Sequence, residues 1–350
     1  MRCSTSAEPL SLRQLDHCPP ALYEAEAGEL RRLLGGPTLL HLPGRRPAPL
    51  FVSVLLHGNE TTGYLAVREL LRRYRDRPLP RALSVFFGNV YAAEQGVRRL
   101  PDQPDYNRVW PGSETAGTPE HAMMAEVVQA MESRGVFAAV DVHNNTGINP
   151  HYACVNRIDH RFLHLAILFS RTVVYFVRPR GVASMALARL CPSVTVECGQ
   201  PGQRHGIEHA LEYLEACLHL AEIPVHPVAP HDLDLYHTVA SIRVPERVAF
   251  GFGRRDVALE FQPDLDHLNF RELPAGTVLA RLHAELPRPL VVTDERGRDV
   301  FDTYFAVEDD QLVLKRPVMP SMFTLDARIV RQDCLGYLME RIELVSDSAA

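Results

Sequence analysis

An apolar run, Leu50-Phe51-Val52-Ser53-Val54-Leu55-Leu56, ends on His57-Gly58-Asn59-Glu60, and an amphipathic stretch begins shortly afterwards. An imidazole and a carboxylate three residues apart on one tight turn can both reach a zinc ion at roughly 2.0–2.2 Å. A second apolar run, Val136-Phe137-Ala138-Ala139-Val140-Asp141-Val142, also ends on a histidine, His143, and is followed by Asn144-Asn145-Thr146-Gly147. A third, Cys191-Pro192-Ser193-Val194-Thr195-Val196, ends on Glu197. Two histidines and one glutamate leave a fourth position open to water, which is the arrangement of catalytic rather than structural zinc. Such an ion brings the pKa of its water to about 7 and polarises a carbonyl, while a separate carboxylate removes the proton. His57, Glu60 and His143 are therefore the candidate metal ligands, and Glu197 the candidate base. Alternation along the second run puts Asp141 on the same side as His143, where it can accept the other ring N–H and fix the tautomer.

These residues need a scaffold that brings strand ends together. In an open α/β sheet, ligands collect outside the carboxyl ends of strands. From Pro20 to Cys217 short apolar runs alternate with amphipathic stretches, the pattern of strands joined by crossover helices. Strands are expected at Thr38–Leu42, Leu50–Leu56, Ala82–Phe87, Phe137–Val142, Tyr152–Val155, Thr172–Val177 and Ser193–Val196. Helices are expected at Leu22–Leu34, Thr62–Tyr74, Glu120–Ser133, Arg161–Phe169, Ala183–Leu190 and His205–His219. The Pro-rich segment Ile223-Pro224-Val225-His226-Pro227-Val228-Ala229-Pro230 reads as a linker. Beyond it helical periodicity largely stops, and short strands are expected at Thr238–Val244, Val257–Phe261, Leu290–Thr293, Asp299–Phe301, Tyr304–Val307 and Gln311–Leu314. The expectation is an α/β catalytic domain over residues 1–225 and a β-rich domain over residues 226–350 that caps or narrows the cleft.

Composition narrows the field from another side. The chain has 350 residues, 46% hydrophobic and 23% charged, with a formal net charge of −6. Its 37 basic residues are all arginine except Lys315 and form no long basic run, so nucleic acid is not an expected partner. The longest apolar stretch, Leu165 to Val177, is interrupted by Ser170 and Arg171 and is too short to span a membrane. The residues from Met1 to Pro9 lack the apolar core of a secretory signal, and the seven cysteines are scattered without a C-x-x-C pair. A cytoplasmic protein with free thiols is expected. Its expected partner is a small anionic substrate, and assembly into a homo-oligomer is left open.

Taken in order, these motifs resemble those of the succinylglutamate desuccinylase/aspartoacylase family within the zinc carboxypeptidase superfamily. His57-Gly58-Asn59-Glu60 is similar to the family's H-G-N-E zinc motif, and Asp141-Val142-His143-Asn144-Asn145-Thr146 to its D-x-H-N-x-T motif. Thr195-Val196-Glu197-Cys198-Gly199 resembles the T-x-E-x-G segment that holds the catalytic glutamate. Asn89-Val90-Tyr91-Ala92 through Arg98-Arg99 and Asp105-Tyr106-Asn107-Arg108 are similar to its N-x-x-A…R…D-x-N-R segment. The resemblance implies a zinc-carboxypeptidase-like mixed sheet flanked by helices, with a smaller C-terminal β-rich domain. It also implies that Asn107 and Arg108 bind a substrate carboxylate, for which a guanidinium fork is well suited. Arg98 or Arg99 would stabilise the oxyanion; the spacing from either to Arg108 is longer than in the family, so the choice stays open. Asn269-Phe270 through Leu273-Pro274-Ala275-Gly276 extends the likeness weakly into the second domain. Arg180, Arg189 and Tyr304 lie in roughly the regions of the family's specificity residues.

The implied activity is zinc-dependent hydrolysis of the amide bond of an N-acyl amino acid or similar small carboxylate-bearing amide. A zinc carboxypeptidase acting on short peptides would share these residues and differ in how far the second domain closes the cleft. A non-catalytic binding protein on the same fold is the more distant alternative. The pairs His160/His164 and His205/His209, the polar run His231 to His237, and Cys198 beside Glu197 are read as solvated, capping or buried groups rather than sites. There is no G-x-S-x-G elbow, no G-x-G-x-x-G fingerprint and no P-loop.

Overall fold

The computed structural model describes residues 10–115 and 117–343, so Cys3 and the stretch from Met1 to Pro9 lie outside them. Its centre is a twelve-stranded mixed sheet. Three neighbouring strands at the middle of that sheet, Gly44–Val54, Ala138–His143 and Ser193–Glu197, run parallel. Their carboxyl ends consequently open at one edge. Ser53 pairs with Asp141, and His143 pairs with Glu197. The register therefore sets the candidate ligand beside the candidate base.

Side chains alternate between the two faces of these strands. Leu50, Val52, Val54, Val140 and Val142 belong to one core, with helices Thr62–Arg73 and Arg204–His219, whereas Phe51 and Ala139 belong to another, with helix Pro119–Ser133. Helix Thr62–Arg73 buries Tyr64, Ala66, Val67, Leu70 and Leu71, the spacing of one helical face. Gly63 on the same helix lies so near the sheet that a Cβ would stand 2.8 Å from Val142.

The expected strands Thr38–Leu42, Tyr152–Val155 and Gln311–Leu314 form with those bounds. The expected helix Leu22–Leu34 is instead broken into turns at Pro20–Tyr23 and Ala27–Glu29 and a short helix, Leu30–Leu34. Pro19 and Pro20 fix the first turn, and the Glu26 amide, donating to the Glu29 carboxylate at 2.9 Å, starts a new one. The expected strand Asp299–Phe301 reduces to a single bridge at Asp299 before the short helix Phe301–Tyr304. Asp299 accepts from the Phe301 amide at 2.9 Å, which turns the chain there.

The fold is thus a mixed α/β sheet flanked by helices, with a smaller β-rich C-terminal region. That region does not stand apart from the sheet. Strand Asp234–Arg243 pairs in parallel with Thr172–Tyr175, and Gly336–Ile342, Met319–Ser321 and Val291–Asp294 continue the same sheet. A separate five-stranded sheet holds Phe250–Phe252, Leu259–Phe261, Val278–Leu282, Phe305–Glu308 and Gln311–Leu314. Gly147, just beyond His143, abuts this C-terminal part: a Cβ there would lie 1.9 Å from the Phe323 carbonyl oxygen. Among the described residues no helix is long and apolar enough to cross a membrane.

Candidate active site

The first strand ends at Val54, and Leu55 then takes φ +57°, a left-handed conformation uncommon for a residue with a branched side chain. The Asn89 amide donates to its carbonyl at 2.7 Å and the Gly88 amide to that of Val54 at 3.0 Å, holding the bend. The bend delivers His57-Gly58-Asn59-Glu60 across the strand ends. Gly58 is required there, since a Cβ would fall 2.2 Å from the Ala92 carbonyl carbon. The Gly58 amide donates to Arg98 O at 3.0 Å, tying this turn to the segment that carries Arg98.

His57, Glu60 and His143 are all buried, and each offers a ligand atom within 4.8 Å of the others. Nδ1 of His57 lies 2.8 Å from Glu60 Oε1, and Nδ1 of His143 lies 2.7 Å from Glu60 Oε2. The far nitrogens face carboxylates too: Nε2 of His57 donates to Asp105 at 2.9 Å, and Nε2 of His143 to Asp141 at 2.9 Å. With an ion between the two Nδ1 atoms and Glu60, the proton left on each ring would belong on Nε2, facing Asp105 and Asp141. Each ring lies between two carboxylates, and an ion between the Nδ1 atoms and Glu60 would let both Nδ1 lone pairs serve as ligands. Burial works against protonating the rings, yet Glu60 with Asp105, and Asp141 with Glu60, hold both histidines above the usual imidazole range. Glu60 stays anionic, because the two histidines outweigh its burial. Two imidazoles and a carboxylate, each oriented from behind, fit zinc.

The remaining contacts fix this arrangement. Ser53 donates to Asp141 at 2.6 Å, and the Asn144 amide donates to Glu60 at 3.2 Å. The Asn144 side chain accepts from the Thr62 amide at 3.3 Å, so the loop after His143 also holds the start of the helix after Glu60. Glu197 is buried and accepts from Asn145 Nδ2 at 2.7 Å. Burial pushes its carboxyl up to about 7, with Glu60 and Asp141 adding to the rise and His143 opposing it. A carboxyl in that range can both take and return a proton near neutrality.

These side chains open into a cleft whose empty space, the open solvent at its mouth included, is about 990 Å3. Arg98 lines it, whereas Arg99 is not among the lining residues and donates to Gln103 O at 2.7 Å. Asn107 is buried against the ligands: Oδ1 accepts from the Ala183 amide at 3.0 Å, and Nδ2 donates to Asp141 at 3.4 Å beside the His143 ring. Arg108 lines the cleft but faces Asp333, with Nη2 3.1 and 3.2 Å from the two carboxylate oxygens. Arg98 donates to the same residue at 3.0 Å, to Asp105 at 3.1 Å and to Glu60 at 3.4 Å. Arg180, Arg189 and Tyr304 are not among the cleft-lining residues.

Asp333 and Asp105 carry no role in the sequence reading. Asp105 stood in a recognisable motif; Asp333 had no local signal, since it arrives from the far end of the chain. Asn145 Oδ1 and Tyr152 Oη, both of cleft-lining residues, are buried without a partner. The histidine pairs set aside earlier serve packing. His151 stacks on His205 and His209, and His164 Nε2 donates to His226 O at 2.9 Å. Cys198 is buried, and its thiol is pushed well up by burial and then by Glu197, as expected of an inert core thiol.

A parallel-strand edge bearing a His-Glu-His group and an opposed glutamate defines a mixed α/β protein with a candidate metal centre. Residues 49–213 match the succinylglutamate desuccinylase/aspartoacylase catalytic domain. Among solved structures, succinylglutamate desuccinylase from Chromobacterium violaceum is similar at 18% identity, covering 87% of each chain with a TM-score of 0.55. A succinylglutamate desuccinylase/aspartoacylase from Rhodobacter sphaeroides aligns at 17% identity over 86% of this chain and 88% of its own, with a TM-score of 0.58. Murine aminoacylase 3 aligns at 17% identity over 86% and 97%, with a TM-score of 0.55. No curated protein sequence matches the chain significantly.

Proposed function

We propose that the protein is a zinc-dependent deacylase that hydrolyses the amide bond of a small N-acyl amino acid or related amide. The observation that carries this reading is the convergence of His57 Nδ1, His143 Nδ1 and the Glu60 carboxylate, with Glu197 paired in register to His143 and lining the same cleft. His57, Glu60 and His143 would hold the ion. When bound, zinc supplies Lewis acidity at a carbonyl and at water.

The chain's own residues supply the rest. Glu197, oriented by Asn145, takes a proton from the attacking water and returns it to the leaving nitrogen. Arg98, at the cleft wall beside Glu60, is the cation nearest the ligands for charge developing on the carbonyl oxygen. Asp105 and Asp141 keep both rings in the tautomer that frees Nδ1. The C-terminal segment supports a small substrate over a peptide, because Ser321, Met322, Ile329, Asp333 and Tyr337 wall the cleft.

The test is a hydrolysis screen of N-acetyl, N-succinyl and N-formyl amino acids, their amides and short peptides, with metal analysis of the same preparations. Wild type is expected to carry about one zinc per chain and to release free acid from an acyl derivative. Glu197→Gln should keep the zinc and lose turnover. Equal turnover by the two proteins, or full zinc in His57→Ala, would overturn the assignment.

A further inference from the structure

All three arginines that line the cleft already face protein carboxylates. Arg108 is met by both oxygens of Asp333, Arg98 by Asp333, Asp105 and Glu60, and Arg178 by Glu114 at 2.8 Å. Asp333 thus sits where a carboxylate of the substrate would have to bind in order to use Arg98 and Arg108 together.

Asp333 is also a fixed part of the wall. It follows helix Ala327–Gln332, with its amide donating to Ile329 O at 2.9 Å, and precedes strand Gly336–Ile342, where the Leu335 amide donates to Ile242 O at 2.8 Å. The backbone is pinned on both sides of the residue, and Cys334 beside it is buried. A substrate carboxylate arriving at Arg108 would therefore meet a second anion already paired with that guanidinium. Like charges brought together at a partly buried site repel, which weakens binding of the incoming anion. Among the described residues, the buried side-chain atoms left unpartnered along the cleft are neutral ones, Asn145 Oδ1 and Tyr152 Oη. Close by, Val174, Phe176 and Met322 supply apolar wall.

We infer that Asp333 is a specificity-determining residue, a built-in counter-ion that satisfies Arg98 and Arg108 and makes this subsite select an uncharged group instead of a carboxylate. The inference rests on the deacylase reading and narrows it. The substrate class becomes small N-acyl amides whose substituent at this subsite is neutral, such as an amino-acid amide or a simple amine, with Asn145 and Tyr152 available to hydrogen-bond it.

The test uses matched ligands with and without a carboxylate in either half: N-acetyl-leucine against N-acetyl-leucinamide, and succinyl-leucinamide against succinamoyl-leucinamide. Binding is measured by calorimetry to zinc-loaded Glu197→Gln, with Asp333 intact and as Asp333→Asn, and turnover is measured on the Glu197 enzyme. With Asp333 intact, in at least one pair the neutral member should bind about tenfold tighter or more, and Asp333→Asn should raise affinity for its carboxylate partner about tenfold while leaving the neutral ligand within about twofold. Carboxylates that bind as tightly as their neutral partners in both pairs with Asp333 intact overturn the inference; this arm needs no substitution at Asp333 and so survives any folding defect of Asp333→Asn. A discrimination that Asp333→Asn leaves unchanged in a folded protein overturns it as well. Turnover with a preference for carboxylates sinks this inference and leaves the deacylase standing. Neither binding nor turnover of any of the four ligands sinks both.

Discussion

His57 and His143 turn Nδ1 toward Glu60 because Asp105 and Asp141 hold their Nε2 atoms from behind. The two aspartates thus orient the rings that would hold the ion. Asp105→Asn and Asp141→Asn should each weaken zinc binding about 10–100-fold, read by competition with a chromophoric chelator, while leaving the fold intact by circular dichroism. Alternation made Asp141 legible in the sequence; Asp105 was legible only as a motif letter, because nothing local says that a loop residue 48 positions on returns to His57. A second titratable cluster makes a separate prediction. Burial, and then its stacked neighbours His209 and His205, lower the pKa of His151 to about 4. The unfolded chain, with His151 near 6.5, binds this proton more readily than the folded one between those values. The contribution is therefore complete above pH 6.5 and lost as pH falls toward 4. The melting temperature should drop across that window, and His151→Asn should flatten the drop.

Turns decide how these side chains meet. The strands announced themselves through apolar runs, and Thr38–Leu42, Tyr152–Val155 and Gln311–Leu314 needed no tertiary information to be placed. Their order across the sheet did need it, since the pairing of His143 with Glu197 joins residues far apart in sequence. The strand Gly336–Ile342 and the helix Ala327–Gln332 were not legible as elements, and Asp333 lies between them. Gly58 carries the clearest prediction at this scale. A methyl group there would press on the backbone of Ala92 and Ala93, which cannot swing aside as a side chain would. Gly58→Ala should destabilise the chain by about 1–3 kcal/mol in chemical denaturation. It should also displace His57 and Glu60 together, so that zinc content falls along with stability.

At the scale of the molecule, the linker after Ala221 led the sequence reading to divide the chain near residue 225. Hydrophobic cores do form on both sides of that point, one dominated by residues before Leu235 and another by residues from Ala240 onward. The main sheet nevertheless runs through the division, since Asp234–Arg243 lies against Thr172–Tyr175. A fragment of residues 1–225 would expose the edge of Thr172–Tyr175, including buried Val173 and Val174, and such an edge is a template for aggregation. Expressed alone, that fragment should be insoluble or bind a hydrophobic dye strongly, whereas the full chain should not; a soluble fragment with bound zinc would contradict this.

The same continuity limits how such a protein can change what it acts on. A lid hung on a hinge could be exchanged between relatives as a cassette, bringing a new preference while the catalytic floor stayed untouched. Here the cleft wall and the floor are rungs of one hydrogen-bonded ladder, so a transplanted C-terminal half would have to match the register of Thr172–Tyr175 before it could offer any new side chain. New preferences are more accessible by single replacements in the short stretch between Asp326 and Gly336 than by recombination.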